Sequence, residues 1–486
     1  MKMRKNIYIK VLLMISVIFS SCEKFLDAPY DNRVELGGLD DLNALLVNAY
    51  PVRADLFTDI MSDNFHHYAS TMQASNAATY VPIYLWKDDF SDNITTATPT
   101  FAYSHYYKKI YEANSVLEKL DELQDFSFRA SAIKGEALIL RAYSYFSLVN
   151  LFSLHYNETA NSTNLGVPLI TEVPRDNRSL FNRATVKEVY DQIDEDLQDG
   201  LALMESAAGE LPRTPYRFSL PSVYAFMSRV SLYKEKWDDV ILYANKVIAE
   251  KGLLVRKMSE DIVRKNTTSE AFFAQEIMNP TLHPNLLLVS QTGTFLSRPF
   301  GYRLGGFYLS HDILYNTPNN DFRRQHFISG GTVIDSVSLV VKYANQPNNP
   351  NAAASRYDMF SIEEVLLNRA EAYLKVASPD ISKAMLDLEA IRKERFTIAN
   401  YTPLSVPSTV SEAIALVLGE RRLELIGQGF RWFDIKRLGI QIEHRLVRTS
   451  ATADEVLLPN DKRTAIQIPQ QARIGNPWLE SQLNPR

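Results

Sequence analysis

Cysteine is nearly absent: Cys22 stands alone in 486 residues. No disulfide can form within the chain, so packing must hold it together. Tryptophan is scarce, four residues against 25 tyrosines and 24 phenylalanines, so flat aromatic surfaces must come mainly from tyrosine. Beyond Cys22 no apolar run approaches the roughly 18 residues that suggest a membrane span. No block of lysine and arginine stands out, and 52 basic residues face 57 acidic ones. That balance argues against a nucleic-acid partner. Gly-x-Ser-x-Gly, a phosphate loop and His-Glu-x-x-His are all missing, so nothing supports an enzyme or a bound cofactor. His66 and His67 are adjacent, and adjacent side chains point to different sides of regular structure, so no metal site is expected there.

What is present begins at the N-terminus. Lys2, Arg4, Lys5 and Lys10 lead into the apolar run Val11–Phe19 and the small pair Ser20-Ser21. A charged head, an apolar middle and a small-residue exit make a secretory signal. The run is too short for a permanent helix across a bilayer. A cysteine placed directly after the small pair suggests cleavage before Cys22 and acylation of the new N-terminus, so residues 1–21 read as a lipoprotein signal peptide. Two or more fatty chains then give a stable anchor. Losing residues 1–21 takes the net charge from −5 to −9. Residues 22–38 read as a tether ending in Gly37-Gly38, and 39–486 as a single domain. At 46% hydrophobic and 22% charged its composition is that of a globular protein.

The fold class expected is mostly α. Apolar steps of three and four predict helices over about 40–49, 101–123, 129–152, 185–204, 222–234, 237–249, 361–375, 381–394 and 410–426. Thr185 and Glu188 have capping-box spacing. Ala142 with Tyr145, Tyr233 with Trp237, Val240, Ala244 and Val247, and Ala370 with Tyr373, Ala384, Leu388 and Ile391 each fit the small-and-large pattern of a tetratricopeptide-like helical repeat. Such a scaffold covers about 39–250 and 361–440. Two stretches break it: an aromatic-rich loop over 55–99 and an irregular, loop-rich ligand-binding lobe over about 252–360, with β-prone pieces such as 337–341. The tail from 451 reads as extended.

Residues 420–439, Glu-Arg-Arg-Leu-Glu-Leu-Ile-Gly-Gln-Gly-Phe-Arg-Trp-Phe-Asp-Ile-Lys-Arg-Leu-Gly, resemble the C-terminal signature of the SusD/RagB family of nutrient-binding lipoproteins. Cys-Glu-Lys-Phe-Leu-Asp at 22–27, Leu-Arg-Ala-Tyr-Ser-Tyr-Phe at 140–146, Gly-Val-Pro-Leu at 166–169 and Ala-Ile-Gln-Ile-Pro at 465–469 stand in the family's order. The resemblance implies a surface-exposed protein, lipid-anchored to the cell outer membrane through Cys22. It implies capture of an oligosaccharide, or of a peptide, and delivery to a SusC-like TonB-dependent transporter. It implies no enzyme activity. Within the signature, Glu420, Arg421, Arg422 and Glu424 stand at helix spacings that permit exposed ion pairs, each worth about 0.3–0.5 kcal/mol. Phe430, Trp432 and Phe433 are expected to pack inward.

A sugar binder needs flat aromatic faces. One ring stacked on one sugar buries ~100 Å², or roughly 2–3 kcal/mol. A millimolar complex needs about 4 kcal/mol, so two or three platforms are required. Tyr80, Tyr84 and Trp86 in the long loop form one candidate cluster. Arg298, Phe300, Tyr302, Arg303 and Tyr308 in the lobe form the other, with Phe307 beside them. Peptide capture would lean on Arg298 and Arg303 and weaken with salt. A third reading, a helical adaptor with no small ligand, expects Trp86 and Tyr302 to be buried.

Overall fold

The computed structural model describes residues 37–67, 74–90, 98–176, 180–267, 278–292, 306–310, 312–313, 317–327 and 355–486. Two compact units divide the chain, Met1–Asp41 and Leu42–Arg486. In the first, the Gly37 N–H donates to the Asp41 carboxylate at 2.8 Å; the signal sequence, Cys22 and nearly all of the tether lie outside the described residues. The second unit carries the folded architecture.

Helix α1 spans Leu39–Asn48 and buries Leu42 and Leu46. Helices α2 (Ala74–Tyr84), α3 (Pro99–Leu123) and α4 (Phe128–Phe152) come next. Thr98 accepts from the Phe101 N–H and Pro99 stands in the first turn of α3, while Ser127 accepts from Ala130 N–H to start α4. Ala142 and Tyr145 are fully buried on α4. Helix α5 (Val186–Ser206) begins with the expected capping box of Thr185 and Glu188. It crosses α4 where two glycines meet. A Cβ on Gly135 would fall 2.8 Å from the Gly200 carbonyl oxygen, and one on Gly200 would fall 2.9 Å from that of Gly135.

Helices α6 (Leu220–Tyr233) and α7 (Trp237–Lys251) form a second pair. After the lobe, α10 (Ile362–Lys375) and α11 (Ile381–Arg392) form a third, and α12 (Val410–Glu424) packs on both. Val240, Ala244, Val247, Ala370, Ala384, Leu388 and Ile391 are all buried, as the repeat pattern requires. Small residues let paired helices approach, and neighbouring pairs bury a shared core.

The lobe between these pairs contains α8 (Met258–Thr267), strands β2 (Leu286–Thr292) and β3 (Phe307–Leu309), α9 (Phe322–Phe327) and strand β4 (Ser355–Ser361). β2 and β4 pair antiparallel, with Val289 opposite Asp358, and β4 runs straight into α10, which Ser361 caps. The β-prone piece at 337–341 lies outside the described residues.

Two expectations are corrected. The stretch 55–99 is not one long loop. It holds a 3-10 turn (Leu56–Asp59), strand β1 (Phe65–His67) and α2, which has Pro82 inside it. Its Asn, Thr and Pro content masks a helix that tertiary packing holds. The tail from 451 is also not simply extended. It contains β6 (Glu455–Leu457), paired with β5 (Ile442–His444), and a short helix α14 (Gln470–Gly475).

The signature is buried far more deeply than surface ion pairs would be. Glu420, Arg421 and Glu424 are each at most 6% exposed. Arg323 of α9 donates to Asp321, Glu420 and Glu424, Arg395 grips Glu424 at 2.7 and 2.8 Å, and Arg392 reaches Glu420 at 2.9 Å. Arg421 reaches Asp434 and Asn368. The charges thus tie the lobe to the scaffold. Phe430, Trp432 and Phe433 pack inward on α13 (Phe430–Leu438), as expected. Gly429, at φ +76°, starts α13; its N–H donates to Asp59, and a Cβ would strike the Thr58 hydroxyl at 2.7 Å.

Candidate ligand-binding site

The two candidate clusters lie far apart in sequence, and the fold brings their backbones together. β1 pairs antiparallel with β3, so Phe65 faces Leu309, His66 faces Tyr308 and His67 faces Phe307. The Ser310 N–H extends this ladder to the Asn64 carbonyl at 2.7 Å. The chain leaves β1 and enters β3 at partnered positions, which joins the 55–90 segment to the lobe.

The rings of the first cluster are structural, which corrects their reading as open platforms. Tyr84 lies flat on His444, centroids 3.9 Å apart, and meets Phe307 at 5.2 Å. Its hydroxyl donates to the Arg445 carbonyl at 3.2 Å, and burial pushes it up to about 12. Trp86 stacks on His444 at 4.2 Å, with the Arg463 guanidinium 5.8 Å from its ring centre. Its indole N–H donates to the Met61 carbonyl at 2.9 Å. These contacts hold Trp86 at φ +51°, a backbone state that side chains other than glycine rarely adopt. Tyr80 is buried as well. None of the three offers a face to a sugar. Of the second cluster, Arg298, Phe300, Tyr302 and Arg303 lie outside the described residues, and Tyr308 is described only as the backbone partner of His66. Trp478, in the C-terminal tail, is about half exposed.

A polar rim surrounds this junction, and most of it was not singled out in the sequence. Arg422 donates to Asp312 and Asn64, each at 2.9 Å, and to the Asp63 carbonyl at 3.0 Å. Arg431 holds the Asp63 carboxylate with two bonds of 2.8 Å. Burial works to raise the Asp63 carboxyl, but Arg431 and Arg422 overcome it and hold the group below its usual range. Ser310 and His66 meet at 3.2 Å. Of this rim the sequence singled out only Arg422, near the end of α12, and His66. Such a rim can bind and orient polar groups. Among the described residues, no cluster of three His, Cys, Asp or Glu side chains is arranged to hold a metal.

A helical-repeat scaffold that carries one loop-built lobe with a polar rim defines a class of binding protein. A SusD-like family described as starch-binding and associating with the outer membrane matches residues 24–232, and the SusD family matches residues 330–482. The chain belongs to the SusD/RagB family. SusD-like protein P38 of Formosa agariphila is 21% identical over 97% of this chain and 99% of its own length. SusD-like protein P2 of the same organism is 25% identical over 68% and 70%. Among solved structures, a SusD superfamily protein of Bacteroides thetaiotaomicron has a TM-score of 0.74 at 22% identity, covering 92% of this chain and all of the other. A SusD-like carbohydrate binding protein of Bacteroides vulgatus has a TM-score of 0.69 at 17% identity, covering 93% and 98%. The likeness to the solved structures establishes a shared fold. Members of the family are nutrient-binding proteins associated with the outer membrane rather than enzymes. Among the described residues, no helix is long and apolar enough to cross a membrane.

Proposed function

We propose that this protein captures oligosaccharides at the cell surface and delivers them to a SusC-like TonB-dependent transporter, held to the outer membrane by acyl chains on Cys22. Family membership carries this reading. The carbohydrate-binding description of the Bacteroides vulgatus neighbour supports it further. The ligand enters at the β1–β3 junction, beside the rim of Asp63, Asp312 and Arg422; Tyr308, Arg298, Phe300, Tyr302 and Arg303 stay candidates on their sequence alone. Capture of peptides at the same place is the second reading, and the charged rim favours it. Burial of Trp86 is half of what a scaffold without a small ligand requires, so that reading turns on Tyr302.

The test is calorimetry of residues 23–486 against plant and host glycans and a mixed peptide pool. Saturable heat with one glycan class, insensitive to salt and lost in Tyr302→Ala, is the expected result. Heat from peptides alone, falling as salt rises, would replace it with the second reading. Heat from neither would support the scaffold. For the anchor, Cys22→Ala in the full chain moves the protein from the membrane fraction to the soluble one. Retention in the membrane fraction would refute acylation at Cys22.

A further inference from the structure

A separate concavity of about 360 Å³ opens between α3, the segment 168–174, Phe181 and α14. Its wall is aromatic. Tyr107 and Tyr111 stand one turn apart on α3, off the buried stripe of that helix, and Phe181 stands among them. Tyr111 is 49% exposed. Pro174 supplies a flat aliphatic surface, and Gln471 and Asn476 supply amides.

Three observations constrain what this groove can hold. First, among the described residues no Asp, Glu, Lys, Arg or His lines it. Burial raises the Tyr103 hydroxyl to about 12 and also pushes that of Tyr107 well above its ordinary value, so these described walls stay uncharged across physiological pH. Its described lining has nothing with which to recognise an ion. Second, it has polar capacity to spare. The Gln471 side chain makes no hydrogen bond among the described residues. Asn476 donates to the Phe181 carbonyl at 2.6 Å, while its Oδ1, closed off from solvent, has no partner. Third, the groove is pre-formed. The Tyr107 hydroxyl donates to the Pro168 carbonyl at 2.9 Å, Asn114 and Tyr145 both donate to the Ile170 carbonyl, and Arg183 locks the chain near Gly166 to Gln482. A ligand therefore need not order these walls before binding.

A neutral ligand with apolar ring faces and hydroxyl edges satisfies all three. We propose that this groove is a neutral-glycan subsite that seats one pyranose ring against Tyr111, with the Gln471 amide taking its hydroxyls. The inference rests on the reading of the protein as a glycan binder, and adds to it a site away from the β1–β3 junction. Tyr111 is half exposed and its hydroxyl makes no hydrogen bond among the described residues, so its substitution should leave the fold intact.

The experiment is titration of the intact soluble protein, residues 23–486, with neutral malto-, cello-, xylo- and manno-oligosaccharides. Tyr111→Ala is expected to weaken binding roughly 30- to 150-fold, the scale of one lost stacking face. Tyr111→Phe keeps the ring and should bind within about threefold of the parent, a split that general destabilisation would not produce. Gln471→Ala is expected to weaken binding about threefold to tenfold, the scale of one lost hydrogen bond. Raising salt should change nothing. If the parent binds a glycan and Tyr111→Ala binds it equally well, the groove assignment is overturned while the glycan reading stands. If the parent binds none of these glycans, or binds only peptides, the glycan reading fails and the subsite falls with it.

Discussion

Arg323 is the residue whose loss should most reveal how the lobe is held. It is 2% exposed and lies among three buried carboxylates. Two of them have a second guanidinium: Glu420 keeps Arg392 at 2.9 Å and Glu424 keeps Arg395 at 2.7 Å. Asp321 has none among the described residues. Its ion pair there is with Arg323 alone, at 2.7 Å. Arg323→Met therefore strands one charge in a dry site, and stranding a buried charge costs about 3–5 kcal/mol. Asp321→Asn leaves Arg323 two glutamates and should cost about 1–2 kcal/mol. The double variant removes the stranded charge as well, so it should be more stable than Arg323→Met alone, by about 1–2 kcal/mol. For a unit of about 450 residues, unfolding entropy near 2 cal/mol/K per residue makes 4 kcal/mol equal to a melting shift of only about 4 °C. Urea unfolding, with hydrogen exchange read at α9 and α12, is the better assay. Faster exchange should appear in those two elements first. A double variant no more stable than Arg323→Met would refute the stranded-charge argument.

Two further outcomes rest on the same physics of close packing and buried charge. Gly135→Ala puts a methyl 2.8 Å from a backbone oxygen that cannot move without shifting α5, and should cost about 1–3 kcal/mol by urea unfolding; a loss within error would mean that the two helices separate freely. His444, stacked between Tyr84 and Trp86, is pushed down to about 4 by burial, against the pull of the Tyr84 and Ser62 carbonyls at its two nitrogens. Its ring stays neutral when folded while the unfolded ring protonates near 6.5. The folded state therefore binds fewer protons between about pH 4 and 6.5, and stability is whole above that window and lost as pH falls through it, by up to about 3 kcal/mol. His105 and His155, both pushed down to about 3 by burial, add to the same slope. His444→Phe keeps the stack and should flatten the loss by about a third. An unchanged slope would mean that His444 is already charged when folded.

The helices and their pairing were legible because their cause is local. An apolar stripe of steps three and four, a capping threonine and a small residue at the crossing are all written in consecutive residues, and Thr185, Ala142 and Ala244 behave accordingly. What stayed hidden depends on partners distant in sequence. Glu420 and Glu424 look like surface charges until Arg323, Arg392 and Arg395 arrive from other segments to bury them. Trp86 looks like a platform in a loop until His444, more than 350 residues away, closes one face and Arg463 lies over its ring. Tyr111 carried a faint signal, since it sits with Tyr107 off the stripe, but its meaning needs Phe181 and Gln471 beside it. A ligand site is concave, and concavity is a relation between segments. An aromatic residue's type says that it can stack; only its neighbours decide whether a face is left to do so. For Trp86 the neighbours have taken it, and for Tyr111 they have not.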